Sequence, residues 1–294
     1  MICNTFFLHL VMFNPFSTLS RRSRRWVYPL ISFVVALGLW LGQPVVARAI
    51  SWGDLILQGI QVIQLSNISD KQEVQIGQQI DAQLRRQIHL YRDPRVQQYV
   101  DEIGQRLAVQ SSRPNIPYTF RVVDNSSINA FATMGGFVYV NTGLMKLADN
   151  EAQLASVIGH EIGHVEGRHA INQMKDLAIA RGVASLAGVN RNTLVKLGVE
   201  LALRRPNSRS DEFEADQLGL RTLTRAGYAP SAMVAFMNKL LRKSSTPTFL
   251  STHPATGDRV ARLQQAIDPS RANVGDGLDN AAYRARLRSL STRL

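Results

Sequence analysis

The sequence predicts an α+β fold, mostly helical, with a small β-sheet whose edge strand flanks the helix that carries the chemistry. Three observations predict it. Apolar residues recur at helical spacing through most of the chain, two short runs of β-branched and aromatic residues bracket a Gly- and Ser-containing stretch, and one capped helix bears two histidines four residues apart.

Residues 1–49 hold five arginines and no acid. The cluster RRSRR from Arg21 is followed by an apolar run from Trp26 to Leu41 and by the small-x-small triplet Ala47-Arg48-Ala49, the order of a secretory signal. The run falls short of the roughly 20 residues a membrane-spanning helix needs, so cleavage after Ala49 is expected, with an uncleaved N-terminal anchor as the alternative. The folded part then lies outside the cytoplasm, in a periplasm or an equivalent compartment. Residues 50–68 read as a linker.

Ser69-Asp70 caps a helix whose apolar face is Val74, Ile76, Ile80, Leu84 and Ile88. A second helix opens at Pro94 and turns Val96, Tyr99, Val100, Ile103 and Leu107 inward, until Arg113-Pro114-Asn115-Ile116-Pro117 breaks it. Residues 118–124 and 136–141 read as strands on either side of SSINAFATMGG. Asn150 caps the next helix, with Leu154, Val157, Ile158 and Ile162 on its apolar face. Residues 171–203 are apolar but interrupted by Lys175, Asp176, Arg181, Arg191 and Lys196, which suits buried helices and not a membrane span. Helices follow from Ser208 to Gly227, from Pro230 through Arg242, and over residues 259–267, and residues 269–294 read as a loosely packed basic tail.

Composition narrows the chemistry. The net charge is +12, but its excess sits at the two ends, and aromatics make up only 7%, so nucleic-acid binding is not expected. The single cysteine, Cys3, excludes a disulfide framework and any cysteine-rich zinc site, so a metal site must use His and carboxylate ligands.

The capped helix carries His160-Glu161-Ile162-Gly163-His164, the H-E-x-x-H pattern. Residues four apart share a helical face, so both imidazoles meet one zinc ion while Glu161 reaches a water on that ion. A pair of mutually hydrogen-bonded core histidines is the plainer reading, yet it would leave Glu161 unpaired in the interior. Catalytic zinc needs a third protein ligand. His169 stands one residue short of the third-ligand position in the longer H-E-x-x-H-x-x-G-x-x-H pattern, and is read as a surface or outer histidine. The better source is SRSDEFEAD, where Glu212 and Asp216 share a face as a ligand and an outer carboxylate would, and Glu214 points elsewhere. A solvated acidic helix start is the alternative. His253, before Pro254, is either an ordinary loop histidine or a group that steadies a tetrahedral oxyanion or fills the open metal position.

Four blocks in order, SSINAFATMGGFVYVNTGL, GHEIGHVEGRH, SRSDEFEAD and STHPATGDR, resemble the zinc metallopeptidase family that contains the HtpX-type heat-shock proteases, the CAAX prenyl endopeptidases and the periplasmic beta-barrel assembly-enhancing proteases, within the gluzincin group. The resemblance runs from Ser69 to Ala266. It implies a gluzincin-like peptidase domain over residues 69–268, one Zn2+ held by His160, His164 and Glu212, Glu161 as catalytic base, Asp216 as the outer acid, and His253 and Arg259 as the H-P-x-x-x-x-R block with a catalytic, oxyanion-steadying role. Long apolar helices are missing, so the chain resembles the exported branch. Asn129, Phe131, Gly136 and Val138 are the candidate strand for aligning extended protein substrates, which suits unfolded, misfolded or misassembled envelope proteins. A zinc-containing holdase or assembly factor that cuts little, and a basic module associating with the membrane surface through its Arg-rich tail, are the alternatives.

Overall fold

The computed structural model of the 294-residue chain describes residues 62–63, 67–182, 189–204, 207–243, 246–254 and 257–291. The expected leader, residues 1–49, lies outside them, as does most of the expected linker. The first elements are β1 (Val62–Ile63), α1 (Asp70–Leu84), α2 (Pro94–Ala108), β2 (Thr119–Val123), β3 (Ala130–Thr133) and β4 (Phe137–Asn141). Next come α3 (Thr142–Leu147), α4 (Glu151–Glu166), α5 (His169–Ala180), β5 (Val189–Asn190), α6 (Arg191–Arg204) and α7 (Arg209–Arg225). The chain ends in α8 (Ser231–Leu241), α9 (Thr248–Thr252), α10 (Gly257–Ala266), α11 (Asn280–Arg286) and α12 (Arg288–Ser291).

Local chemistry sets the helix starts. Ser69 and Gln72 form a capping box at α1, Asp93 caps α2 with Pro94 in the first turn, Asn150 accepts from the Gln153 N–H at α4, and Ser208 accepts from that of Asp211 at α7. Gln153 turns its own amide oxygen to the Asp149 N–H, 2.9 Å away, so the reciprocal half of that cap is displaced by one residue.

The main sheet is small and mixed, in the order β2-β4-β3. β2 runs parallel to β4 with Thr119 opposite Phe137, and β3 runs antiparallel to it with Ala130 opposite Val140. The strand expected to form the sheet edge, 136–141, is therefore the central one. Its backbone is paired on both sides, and all five residues of β4 are buried because both faces are covered: Val138 and Val140 join the core of α2, α4 and α8, while Phe137 and Tyr139 join that of α1, α5 and α6. The edge beside α4 is β3, a strand hidden within SSINAFATMGG. It returns to β4 through Gly135 and Gly136 at φ +78° and +87°, a backbone conformation that side-chain-bearing residues seldom adopt. Phe131 stacks on Tyr139 across the ladder with ring centroids 4.6 Å apart.

Two further expectations change. Val62–Ile63, inside the expected linker, pairs antiparallel with Val189–Asn190. The basic tail is not loosely packed over its described part: α11 and α12 sink Tyr283, Leu287 and Leu290 into the core, and the Tyr283 hydroxyl donates to the Met145 carbonyl at 2.8 Å. Helices this short show too few turns for an apolar stripe to stand out in the sequence.

The contact that positions the site is the crossing of α4 and α7. A Cβ on Gly163 would lie 2.6 Å from the Ala215 carbonyl oxygen, and one on Gly219 would lie 2.8 Å from the His160 nitrogen. The two backbones touch. Gly219→Ala is expected to wedge the helices apart and cost about 1–3 kcal/mol of stability, measured by chemical denaturation.

Candidate active site

Every residue of α4 from Ala152 to Val165 is buried, so His160, Glu161 and His164 sit in the interior. The α7 crossing brings Glu212 and Asp216, one turn apart, against them. α9 delivers His253 from the third side: its Phe249 ring stacks on the His253 ring at 4.4 Å, the Phe249 N–H donates to the Ile128 carbonyl, and the Thr252 hydroxyl donates to the Asn129 side chain.

Four of these groups converge. The Nε2 atoms of His160 and His164 are 3.1 Å apart, and each lies 3.3 Å from Nδ1 of His253. Glu212 Oε1 is 3.3 Å from His164 Nε2 and 3.1 Å from His253 Nδ1, and its Oε2 is 3.4 Å from His160 Nε2. Ligands at zinc's usual 2.0–2.1 Å in a tetrahedron stand roughly 3.3 Å from each other. The donor set therefore fits one zinc ion. The outward ring nitrogens agree: His160 Nδ1 faces Asp216 Oδ1 at 3.0 Å and His164 Nδ1 faces His169 Nδ1 at 2.8 Å, an arrangement that lets each ring carry its proton outside and give a lone pair to an ion at the common centre.

The electrostatics favour a cation there. Burial opposes charge on His160, but Asp216 and Glu212 outweigh it and hold its pKa up to about 9. Burial brings His164 down to about 3, with Glu212 opposing. Burial would raise Glu212, yet His253, His160 and His164 overrule it and keep the carboxylate ionised far below its usual range. Glu161 differs. It is fully buried, with His253 Nε2 3.5 Å from its Oε1, and burial raises its carboxyl above the usual range, with His253 and His160 opposing, Glu212 adding to the rise and, least, the Ala132 amide of β3 opposing. A buried ionisable group with a raised carboxyl beside a ligand cluster is placed to exchange a proton.

Arg259 is not free to steady an oxyanion. Its Nε and Nη2 donate to the two Asp216 oxygens at 2.7 Å each, while Nη1 lies 2.6 Å from Glu212 Oε2 and donates to the Pro254 and His253 carbonyls. All three nitrogens are engaged at 1% exposure, so the catalytic role expected of Arg259 gives way to a clamp that locks Asp216 and Glu212. His169 is buried, not on the surface. The left-handed turn at Arg168 and the missing side chain of Gly167 fold it back under His164, and its Nε2 reaches Glu214 Oε2 at 3.3 Å, so Glu214 faces the site through it.

Of the expected substrate strand, Phe131 lies on the edge strand β3, Val138 on the central β4, Gly136 in the turn, and Asn129 braces α9. A cavity of about 50 Å³ opens beside Glu161, His164 and His253, walled by Phe131 and Met134 on the β3 side and by Met174 and Leu201 from α5 and α6. Asn207 and Gln173, which line it too, carry no spacing signal: Asn207 is set against the cluster only because the chain turns there into α7.

Residues 94–267, which contain the whole cluster, match the profile of Peptidase family M48. The chain belongs to this family. Members of M48 use a metal, typically zinc. Similar proteins include the beta-barrel assembly-enhancing protease of Escherichia coli K12, 34% identical over 76% of this chain and 50% of that protein, and its counterpart in Yersinia pestis, 33% identical over 67% and 44%. The mitochondrial metalloendopeptidase OMA1 of Arabidopsis thaliana is 36% identical over 54% of this chain and 33% of its own length. The chain spans about half the length of the beta-barrel assembly-enhancing proteases it matches.

Within the M48 cluster, Arg259→Met would leave two buried carboxylates without their counter-charge. A loss of about 3–5 kcal/mol in unfolding free energy is expected, read from denaturant midpoints.

Proposed function

We propose that this chain is a zinc-dependent metalloendopeptidase that hydrolyses peptide bonds of unfolded, misfolded or misassembled proteins in an extracytoplasmic compartment. One observation carries the reading: His160, His164 and Glu212 converge at zinc-ligand spacing with the fully buried Glu161 directly alongside. A purely structural metal site has no use for a buried carboxyl beside the ligands that is not itself a ligand, which favours catalysis over a holdase.

Zinc, when bound there, supplies Lewis acidity that makes a water acidic and polarises a carbonyl. The protein's own groups do the rest. Glu161, with its raised carboxyl, takes the water's proton and returns it to the departing amine. Asp216 and His169 hold the two ligand rings in the tautomer that leaves Nε2 free. Among the described residues β3 pairs only with β4, and its unpaired side is where an extended substrate chain would add as a strand, presenting a side chain to the apolar cavity. Strand addition reads extended backbone more than sequence, and this supports non-native proteins as substrates. The names of the beta-barrel assembly-enhancing relatives support an envelope setting. Among the described residues no helix is long and apolar enough to cross a membrane.

His253 completes a four-ligand set, and its Nε2 lies 3.5 Å from Glu161 Oε1. Four protein ligands make a closed site, so the arrangement is a resting form that opens when His253 withdraws. Accordingly His253→Ala should raise turnover of a fluorogenic peptide severalfold with zinc content unchanged, and a fall in turnover would return His253 to an oxyanion role. Zinc measured per chain should be about one in the parent and clearly lower in Glu212→Gln. Glu161→Gln should keep its zinc and lose about 10²–10⁴-fold in kcat; retained proteolysis would overturn Glu161 as the base, and zinc-loaded parent that cleaves nothing would favour the holdase.

A further inference from the structure

Asn207 stands just before α7, between two loops of the site. Its backbone N–H donates to the Thr252 carbonyl at 2.9 Å, and its side-chain oxygen accepts from Gln173 Nε2 at 2.6 Å. On its other side the amide nitrogen meets only acceptors: Glu212 Oε1 at 2.8 Å, His253 Nδ1 at 3.1 Å and His164 Nε2 at 3.3 Å. The amide orientation is thereby settled, since the flipped form would press oxygen against carboxylate oxygen.

The amide has two hydrogens. One goes to Glu212 Oε1, which keeps a lone pair beyond any it gives to a metal. The other points toward His253 Nδ1 and His164 Nε2, whose single lone pairs are consumed when those rings ligate an ion. With the rings so engaged, the second N–H has no acceptor among the described residues and faces the position that His253 occupies at rest. Asn207 also lines the cavity shared by Glu161, His164 and His253. Arg259 has every nitrogen engaged with Asp216, Glu212 and the His253–Pro254 carbonyls.

Resting on the peptidase reading above, we infer that Asn207 is a further catalytic residue, whose side-chain N–H donates to the scissile carbonyl oxygen once His253 has withdrawn. In the reaction the water oxygen bonds to the carbonyl carbon, the C–N bond breaks, and Glu161 carries the water's proton to the leaving nitrogen. Asn207 transfers no proton. It holds the carbonyl oxygen as negative charge develops there, and Gln173 fixes the amide in advance so that no reorganisation is needed.

The test uses the full zinc-loaded chain, a fluorogenic peptide substrate and a phosphinic peptide that mimics the tetrahedral species. Asn207→Ala should keep its zinc and its KM within about twofold, lose about 10²–10³-fold in kcat, and lose affinity for the phosphinic peptide in parallel. Gln173→Leu leaves the donor present but untethered, and should show a smaller loss of the same kind. Unchanged kcat and phosphinic affinity in Asn207→Ala overturn the inference, as does a loss of activity that tracks a loss of zinc, which would make Asn207 only a support for Glu212. If Asn207→Ala fails to fold, Gln173→Leu with full kcat and phosphinic affinity overturns it. A zinc-loaded parent that neither cleaves the substrate nor binds the phosphinic peptide overturns the peptidase reading and this inference with it. A parent that does both, beside an unaffected Asn207→Ala, overturns this inference alone.

Discussion

Helices α4 and α7 approach until their backbones meet, with glycine on both sides of the contact, and the rest of the site is built on that closeness. Side chains that leave two helices at such short separation have little room to choose their direction. His160 and His164 on one helix and Glu212 and Asp216 on the other are thrown into one small volume, each pair set a single turn apart. A larger residue at Gly163 or Gly219 would separate the helices by more than the tolerance of a metal–ligand bond. The same crossing explains why the site lies deep: a helix pressed this closely is covered, and α4 is covered along nearly its whole length.

Depth has an electrostatic cost, which the outer groups offset. Glu212 and Asp216 are almost inaccessible, and ionised carboxylates in such surroundings need counter-charge and hydrogen bonds to persist. Arg259 supplies both, forking onto Asp216 and touching Glu212. On the other flank His169 carries the arrangement outward to Glu214, more than half exposed. The two ligand histidines are thus backed in different ways, His160 by a sealed ion pair and His164 by a chain that ends at solvent.

Those parts of the site that depend on one helix at a time were legible in the sequence. Spacing of four along a helix is local information, so the shared faces of His160 with His164 and of Glu212 with Asp216 could be read directly, as could the caps at Ser69 and Asn150. What depends on pairing between distant segments was not. β3 and β4 exchange the roles of edge and centre because strand order is set by the whole sheet, although the run FVYV bears the mark of a strand covered on both faces. Arg259 aligned with a motif, but only the folded chain shows its nitrogens taken up. Asn207 had no signal: a single amide before a helix cap looks like any loop residue until α5 and α9 close around it.

The burial of α4 also has a kinetic side. Backbone amides of a helix enclosed by α2, α7, α8 and the sheet exchange with solvent only when that whole set of elements opens, whereas α9 is a five-residue helix tied to loop residues Ile128, Asn129 and Asn207. The cluster is therefore assembled from groups at opposite ends of the local-opening scale. His160, Glu161 and His164 lie on an element that opens only with the core, whereas the withdrawal proposed for His253 requires only the short α9 segment to open. In the resting form proposed above, such a division lets His253 withdraw while His160, Glu161 and His164 keep their geometry.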